Sequence, residues 1–527
     1  MIRNLTDRHR TASLLVVWLT LVVGIRSAVR GDDSARKRPN ILFIYADDQS
    51  YKTLSCYPES PDWVHTPNID RLAQSGIRFE RAYYGAWCMP SRASFLTGRL
   101  QHGVQTMSME GQYPASTYDP QQCPFVPAHF RKAGYHTAQI GKWHTGVDTG
   151  YGRDWDYQIV WNRPGHPDNA GSYFYDQILT FNGEDRLTPG YSTDNYTNWA
   201  VDYIRGEHRD ADKPWYLWLC YGAIHGPTTP ADRHKGTLKE YDAEVPADIF
   251  GPWPEKPSYL EQTSAWIKGP DGKPAMKKKV RAASNFDTLE AGKSYRAWIQ
   301  QVNECMLGVD EGVGRVMQAL EESGQLANTL VIYTADHGHM IGHHGLYGKG
   351  NATTPQNFYE ESIRVPLLMR WPAGGVQSQV VTQPVDLCDL FMTMLAVGEV
   401  ALSPVETTLI NSPGWSLLPL ARGGAVDWRT VQCCEYGNAR MITDLRYKLV
   451  HRYAPQADRY GDELFDLVSD PRETMNLIDM PENQDLIMML DNQMTSYFER
   501  YGVGQKTGIH VLDLPMHNSF EPWRRSL

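Results

Sequence analysis

Asn40-Ile41-Leu42-Phe43-Ile44-Tyr45 is a continuous apolar run of strand length, and Asp47-Asp48 follows at its carboxyl end. A run with no polar alternation predicts a strand buried on both faces, at home in a sheet sandwiched between helices. In open sheets of that kind ligands gather at the carboxyl edge. Adjacent carboxylates there repel unless a cation sits between them, and hard divalent ions take such oxygen ligands. Taken alone, Asp-Asp reads better as a solvated turn, since the pair is common in loops. A second run, Thr329 to Thr334, repeats the arrangement and ends at Asp336-His337-Gly338. Two strand ends, each with adjacent candidate ligands, supply what a single cation site needs.

Other segments fit the same plan. Thr137 to Ile140 reads as a short strand that delivers Gly141-Lys142-Trp143-His144, and Trp215 to Tyr221 as a strand that ends at His225-Gly226-Pro227. Val365 to Trp371 is a further strand. Thr66 and Pro67 open a helix as cap and first residue. Phe125 to Ala133 and Asp194 to Ile204 are helical, and Leu289 to Glu322 carries Ile299, Val302, Met306, Val309, Val313, Val316 and Leu320 at helical spacing. Val385 to Leu395 is another helix. Gly150 to Pro189 and Pro227 to Lys279 show little periodicity and are expected as irregular segments over the site, where specificity resides. Their Trp155, Trp161, Trp253 and Tyr259 offer aromatic faces that suit sugar rings, although packing explains such residues equally well. From about Trp428 the pattern changes. Val431 to Tyr436, Ala439 to Thr443, Tyr447 to His451 and Glu463 to Leu467 read as short antiparallel strands, followed by a helix from Gln484 to Tyr501.

The chain has 527 residues, 41% hydrophobic and 21% charged, with a formal net charge of −10. That balance describes an ordinary globular protein and gives no footprint for nucleic acid. Residues 1–31 read as a secretory signal: Arg3, Arg8, His9 and Arg10 form a basic start, and Leu14 to Gly24 is an apolar run too short to span a membrane comfortably. Nothing else is long and apolar enough to span. The expected location is therefore periplasmic or secreted. The eight cysteines show no metal-like spacing and are too sparse for a disulfide scaffold.

Between these segments lies Cys88-Met89-Pro90-Ser91-Arg92-Ala93-Ser94-Phe95-Leu96-Thr97-Gly98-Arg99. Pro90 suits a first helical turn, which places Cys88 just before a helix N-terminus, where aligned N–H groups favour an anion. This Cys-x-Pro-Ser-Arg run with Leu-Thr-Gly-Arg behind it resembles the signature of the formylglycine-dependent sulfatases. Gly141-Lys142-Trp143-His144, His225-Gly226-Pro227, Asp336-His337-Gly338, Lys349 and Asp470-Pro471-Arg472-Glu473-Thr474 resemble that family's further motifs, in its order. The resemblance spans roughly residues 38 to 480. It implies an α/β fold: a large alkaline-phosphatase-like domain with a mixed, mostly parallel sheet between helices, over 38–425. A smaller C-terminal α+β domain with an antiparallel sheet follows over 426–527.

Residue by residue, the resemblance implies that Asp47, Asp48, Asp336 and His337 bind one divalent ion. Cys88, oxidised to formylglycine by a maturation enzyme and hydrated, adds an oxygen ligand. Calcium is the first expectation, with manganese or magnesium as alternatives. Many sulfatases have Asn where this chain has His337, and a His ligand favours softer ions more than Asn does. The implied nucleophile is one hydroxyl of the aldehyde hydrate. Lys142 and Lys349 hold sulfate oxygens, Arg92 and Lys142 steady the hydrate, His225 or Lys349 protonates the leaving alcohol, and His144 accepts a proton from the second hydroxyl. The implied substrate is a sulfated small molecule or glycan, with a lean toward carbohydrate. The rival readings are a phosphonate or phosphate monoester hydrolase with the same nucleophile, and a non-catalytic binder of sulfated glycans. His339, His343 and His344 lie near Lys349 in sequence and read as pocket-rim or solvated residues, with a second metal site as the alternative.

Overall fold

The computed structural model describes residues 37–85, 87–101, 124–146, 148–162, 173–283, 294–353, 356–436, 439–453 and 461–502. The strands in chain order are β1 Asn40–Ala46, β2 Ile77–Tyr83, β3 His136–Lys142, β4 Tyr157–Trp161, β5 Tyr175–Phe181, β6 Glu184–Tyr191 and β7 Trp215–Cys220. They continue with β8 Trp266–Lys268, β9 Pro274–Met276, β10 Thr329–Ala335, β11 Arg364–Arg370 and β12 Gln379–Val381. β13 Gln432–Tyr436, β14 Ala439–Thr443, β15 Tyr447–Arg452 and β16 Glu463–Asp466 complete the set. Ten of them form one sheet in the order β12-β2-β11-β10-β1-β7-β3-β4-β5-β6. Its middle, β10-β1-β7-β3-β4, is parallel throughout, and antiparallel pairs flank it on both sides.

The centre of the sheet follows from the apolar run that begins at Asn40. Ile41 through Ala46 are all buried, as are all of β7 and β10, so these strands cannot lie at a solvated face. Register then sets the position of the site. Ala46 pairs with Ala335, Tyr45 with Cys220, and Gly141 with Cys220. The carboxyl ends of β10, β1, β7 and β3 therefore stop at one level, and the residues that follow share one edge.

Two expectations need correction. The described residues of 150–189 are not one long loop, since they contain β4, β5 and most of β6. β4 carries the polar Gln158 yet is buried along its whole length, whereas β6 is a largely exposed edge strand containing Pro189 and Gly190. Neither shows the alternation or continuous apolarity that announces a strand. The segment 227–279 is mostly irregular, as expected, but holds the β8–β9 hairpin and a short helix, Tyr259–Thr263. Thr66 stands at the cap of helix Pro67–Gln74 without capping it through its side chain. Asp310 on the long helix Tyr295–Glu322 instead accepts from the N–H groups of Asn68 and Ile69 at 3.0 and 2.8 Å.

β13 to β16 form a separate antiparallel sheet. Alternate residues face opposite ways: Cys433, Ile442 and Leu449 cluster with Leu490, Met494 and Phe498 of helix Gln484–Arg500. Cys434, Met441 and Val450 cluster with Tyr83, Trp87, Cys88 and Met89. The small sheet thus covers the start of the helix that carries Cys88.

Candidate active site

Asp47 and Asp48 leave β1 beside Asp336 and His337, which leave β10. The backbone locks the two turns together: Asp336 N–H donates to Ala46 O at 3.2 Å, and Asp48 N–H donates to Asp336 Oδ1 at 3.1 Å. Asp48 sits in the left-handed region at φ 57°, which turns its carboxylate into the pocket rather than along the strand. Cys88 is the first residue of helix Cys88–Thr97, one position further in than the sequence reading placed it. Its Sγ lies 3.2 Å from His337 Nε2, 3.1 Å from Lys349 Nζ and 3.7 Å from Asp48 Oδ1. Asp47, Cys88, Asp336 and His337 bring one ligand atom each to within 4.8 Å of one another, and all four are buried.

Cations converge on the same point. Lys142 Nζ donates to Asp47 Oδ2 at 2.5 Å, and Lys349 donates to Asp48. Arg92 Nε donates to Asp336 Oδ2 at 3.1 Å and its Nη1 to Lys142 O at 3.1 Å. The field they make is uneven. Burial pushes the Asp47 carboxyl up to about 7, against the pull of Lys142. Burial also acts upward on Asp336, but His337, Arg92 and Lys142 outweigh it and hold Asp336 well below the usual carboxylate range. Burial raises the Cys88 thiol and the two lysines more than reverse that, to about 7. His337 reaches about 10, because Asp336 and neighbouring anions overcome its desolvation.

His225 lies beyond β7, with Nε2 3.7 Å from Asp48 Oδ2 and Nδ1 2.5 Å from Gly226 O. That second contact makes Nδ1–H the donor and leaves Nε2 facing the pocket. Burial holds this imidazole down to about 4. His144 packs edge-on to Trp87, the residue before Cys88, with ring centroids 6.4 Å apart. All ten residues singled out in the sequence are therefore described, and nine are linked directly around Cys88, Asp47 and Asp48; His144 joins through Trp87. Sequence reading missed Tyr173, which stacks on His225, and the cover from Tyr436 and Met441.

The rim aromatics did not turn out as expected. Trp155, Trp161 and Tyr259 are completely buried and offer no face to a sugar, while Trp253 is half-buried. His344 is buried against Tyr359, and Asp248 accepts from its N–H. His343 lies beside Lys52 and Asp248. His344, Glu361 and Glu473 come close together, but Lys52 pairs with Glu361 and Lys448 with Glu473, so the charge there is already met. The seven described cysteines are free thiols; Cys123 lies outside the described residues. No described helix is long and apolar enough to cross a membrane.

Residues 39–400 match the sulfatase family, and residues 342–500 match the family of N-sulphoglucosamine sulphohydrolase C-terminal regions. The chain belongs to the sulfatase family. Sulfatases are sulfuric ester hydrolases, and this one is 28% identical over 536 residues to an N-acetylglucosamine-6-O-sulfatase of Bacteroides thetaiotaomicron, covering 90% of this chain and 89% of that protein. It is 26% identical over 462 residues to the N-acetylglucosamine-6-sulfatase of Homo sapiens, covering 84% and 75%. A solved structure described as in complex with its substrate D-glucosamine-2-N,6-O-disulfate matches with a TM-score of 0.74 at 25% identity, over 88% of this chain and 98% of that one.

The sulfatase's own atoms suit a cation of the kind its family uses. Asp47 Oδ1 is buried with no hydrogen-bond partner among the described residues, and Arg92 approaches it only to 3.9 Å. Three carboxylates and one imidazole form a donor set of hard oxygens with a single nitrogen, which takes calcium, magnesium or manganese.

Proposed function

We propose that this protein removes the 6-O-sulfate of a glucosamine-type sugar, with formylglycine made from Cys88 as its nucleophile. The placement of Cys88 against Asp48, His337 and Lys349 at the meeting of two strand ends carries this reading. The names of the two relatives and of the sugar complex support the substrate class. Asp47, Asp48, Asp336 and His337 hold a divalent cation, calcium first, which when bound supplies positive charge beside the sulfate oxygens and the attacking hydroxyl.

Oxidation of Cys88, with the oxidant supplied by the maturation enzyme, breaks its Cβ–sulfur bond and turns Cβ into an aldehyde carbon, oxygen taking the place of sulfur, and hydration gives that carbon two hydroxyl groups. One, ionised with its proton passed to solvent, attacks the sulfur atom of the ester while the sulfur–oxygen bond to the sugar breaks. Lys142 and Lys349 neutralise the sulfate oxygens, and Arg92 with Lys142 holds the hydrate in place. His225 gives the leaving alkoxide its proton through Nε2 as the doubly protonated imidazolium, a form that burial disfavours and the Asp48 charge favours. His144 then takes the proton of the second hydroxyl, the carbon–oxygen bond to sulfate breaks, and the aldehyde returns. A side chain with one hydroxyl or one thiol has no second proton to lose and stays sulfated. Export through the leader at 1–31 and oxidation by a maturation enzyme belong to the same proposal; the leader's basic start and apolar run support the first.

The test uses full-length protein made with a maturation enzyme. The tryptic peptide Ala82 to Arg92 is expected to be lighter by the thiol-to-aldehyde difference, N-acetylglucosamine-6-sulfate to release sulfate, and Cys88→Ala to release none. Aldehyde-bearing protein that leaves this sugar intact, or that prefers phenyl phosphonate, overturns the reading.

A further inference from the structure

We infer that Tyr173 is the positioning residue of the leaving-group acid, an inference that rests on the role given to His225 above. Tyr173 stands just before β5, in the segment 150–189 whose composition predicts a loop. Its ring stacks on the His225 imidazole with centroids 4.1 Å apart and planes 5° from parallel. Its Oη is 3.3 Å from Nε2. In a parallel stack that oxygen lies above the imidazole plane, so the in-plane position of Nε2, where the imidazolium carries its transferable proton, stays directed at the pocket and Asp48. The stack fixes the ring without occupying its working site.

Tyr173 is itself held. It is 2% exposed. Its carbonyl accepts from Ser192 Oγ at 2.7 Å and from Gln177 Nε2 at 3.2 Å, and Trp161 packs on its ring at 4.4 Å. Lys142 Nζ lies 5.4 Å from the same ring centroid. One side chain thus touches the acid at the end of β7 and reaches toward the sulfate-binding lysine at the end of β3. With Nδ1 tied to Gly226 O, the remaining freedom of His225 is rotation of its ring out of plane, which a parallel aromatic neighbour resists.

The experiment compares Tyr173→Phe and Tyr173→Leu on two substrates. N-acetylglucosamine-6-sulfate expels an alkoxide that needs a proton, whereas 4-nitrophenyl sulfate expels a stable phenolate that does not. Tyr173→Leu is expected to lower kcat on the sugar by about 10- to 100-fold with KM nearly constant, and turnover of the aryl ester by no more than about 3-fold. Tyr173→Phe, which keeps the stacking ring, is expected to recover most of the loss. Equal losses on both substrates, a KM rise at constant kcat, or a Phe variant as poor as Leu each overturn the assignment. If the wild type does not cleave the aryl ester, the kcat-against-KM split and the Phe rescue decide alone. A wild type that releases sulfate from neither compound overturns the functional reading and this inference with it.

Discussion

Arg92 is wholly buried, and its charge is met by Asp336 at 3.1 Å and by Asp47 at 3.9 Å. A buried ion pair adds little net stability, but removing one partner leaves a desolvated charge unmatched. Asp336→Ala is therefore expected to destabilise the fold by about 3–5 kcal/mol, read by urea denaturation, beyond any effect on turnover. A loss below about 1 kcal/mol is the value of an exposed pair and contradicts this account. Lys349 contacts both Cys88 Sγ and Asp48, so Lys349→Ala is expected to lower kcat by about 10²- to 10³-fold. Normal sulfate release in that variant removes Lys349 from the scheme. At this scale the sequence was informative because the chemistry sits in short runs: Asp47-Asp48, Asp336-His337 and Cys88 to Arg92 keep their neighbours. Tyr173 had no such signal. A lone Tyr among 29 says nothing of a stacking partner 52 positions away.

The elements that carry the site depend on how they stop. Helix Cys88–Thr97 ends at Gly98 with φ 68°, and a Cβ there would meet the Phe391 ring at 2.5 Å. Gly98→Ala imposes both a disfavoured backbone and an overpacked core, so a loss of about 1–3 kcal/mol in denaturant stability is expected. An unchanged midpoint contradicts that packing argument. Helix Leu387–Val397, which packs beneath it, starts with a reciprocal cap between Asp386 and Asp389, and Arg429 binds both carboxylates. Strand ends were readable where apolar runs stopped at charged residues. β4 to β6 were not, because burial of Gln158 and exposure of β6 are decided by neighbours in the sheet, which local pattern does not encode.

For the molecule as a whole, the small sheet is part of the active site's wall. Tyr436 packs on Trp87 with ring centroids 6.0 Å apart, and Met441 and Val450 complete the cluster around Cys88. A chain truncated after residue 425 is expected to lose solubility and all sulfate release, checked by gel filtration and assay. A soluble, active truncation contradicts the packing. The four C-terminal strands were legible as such from their spacing, but their contact with a helix more than 300 positions earlier was not, since long-range packing leaves no local mark. Acid sensitivity belongs to this scale too. Burial pushes Asp248 up, but the hydrogen bond and charge of His343 and His344 bring it down to about 2. A carboxyl lower in the folded than in the unfolded state, where it is near about 4, stabilises above that pH. Its contribution is lost as pH falls from about 4 to 2, so the denaturation midpoint is expected to drop across that window, and less steeply in Asp248→Asn.

Cys88 is 1% exposed beneath strands that begin at Gln432. Those strands leave the ribosome long after the thiol does. Under the proposed function, an oxidising enzyme that must grip the cysteine has its opportunity while the tail is still being synthesised, and folding closes that interval. Under that proposal, activation is thus a matter of schedule: chain made faster than it is oxidised would be sealed in the thiol form.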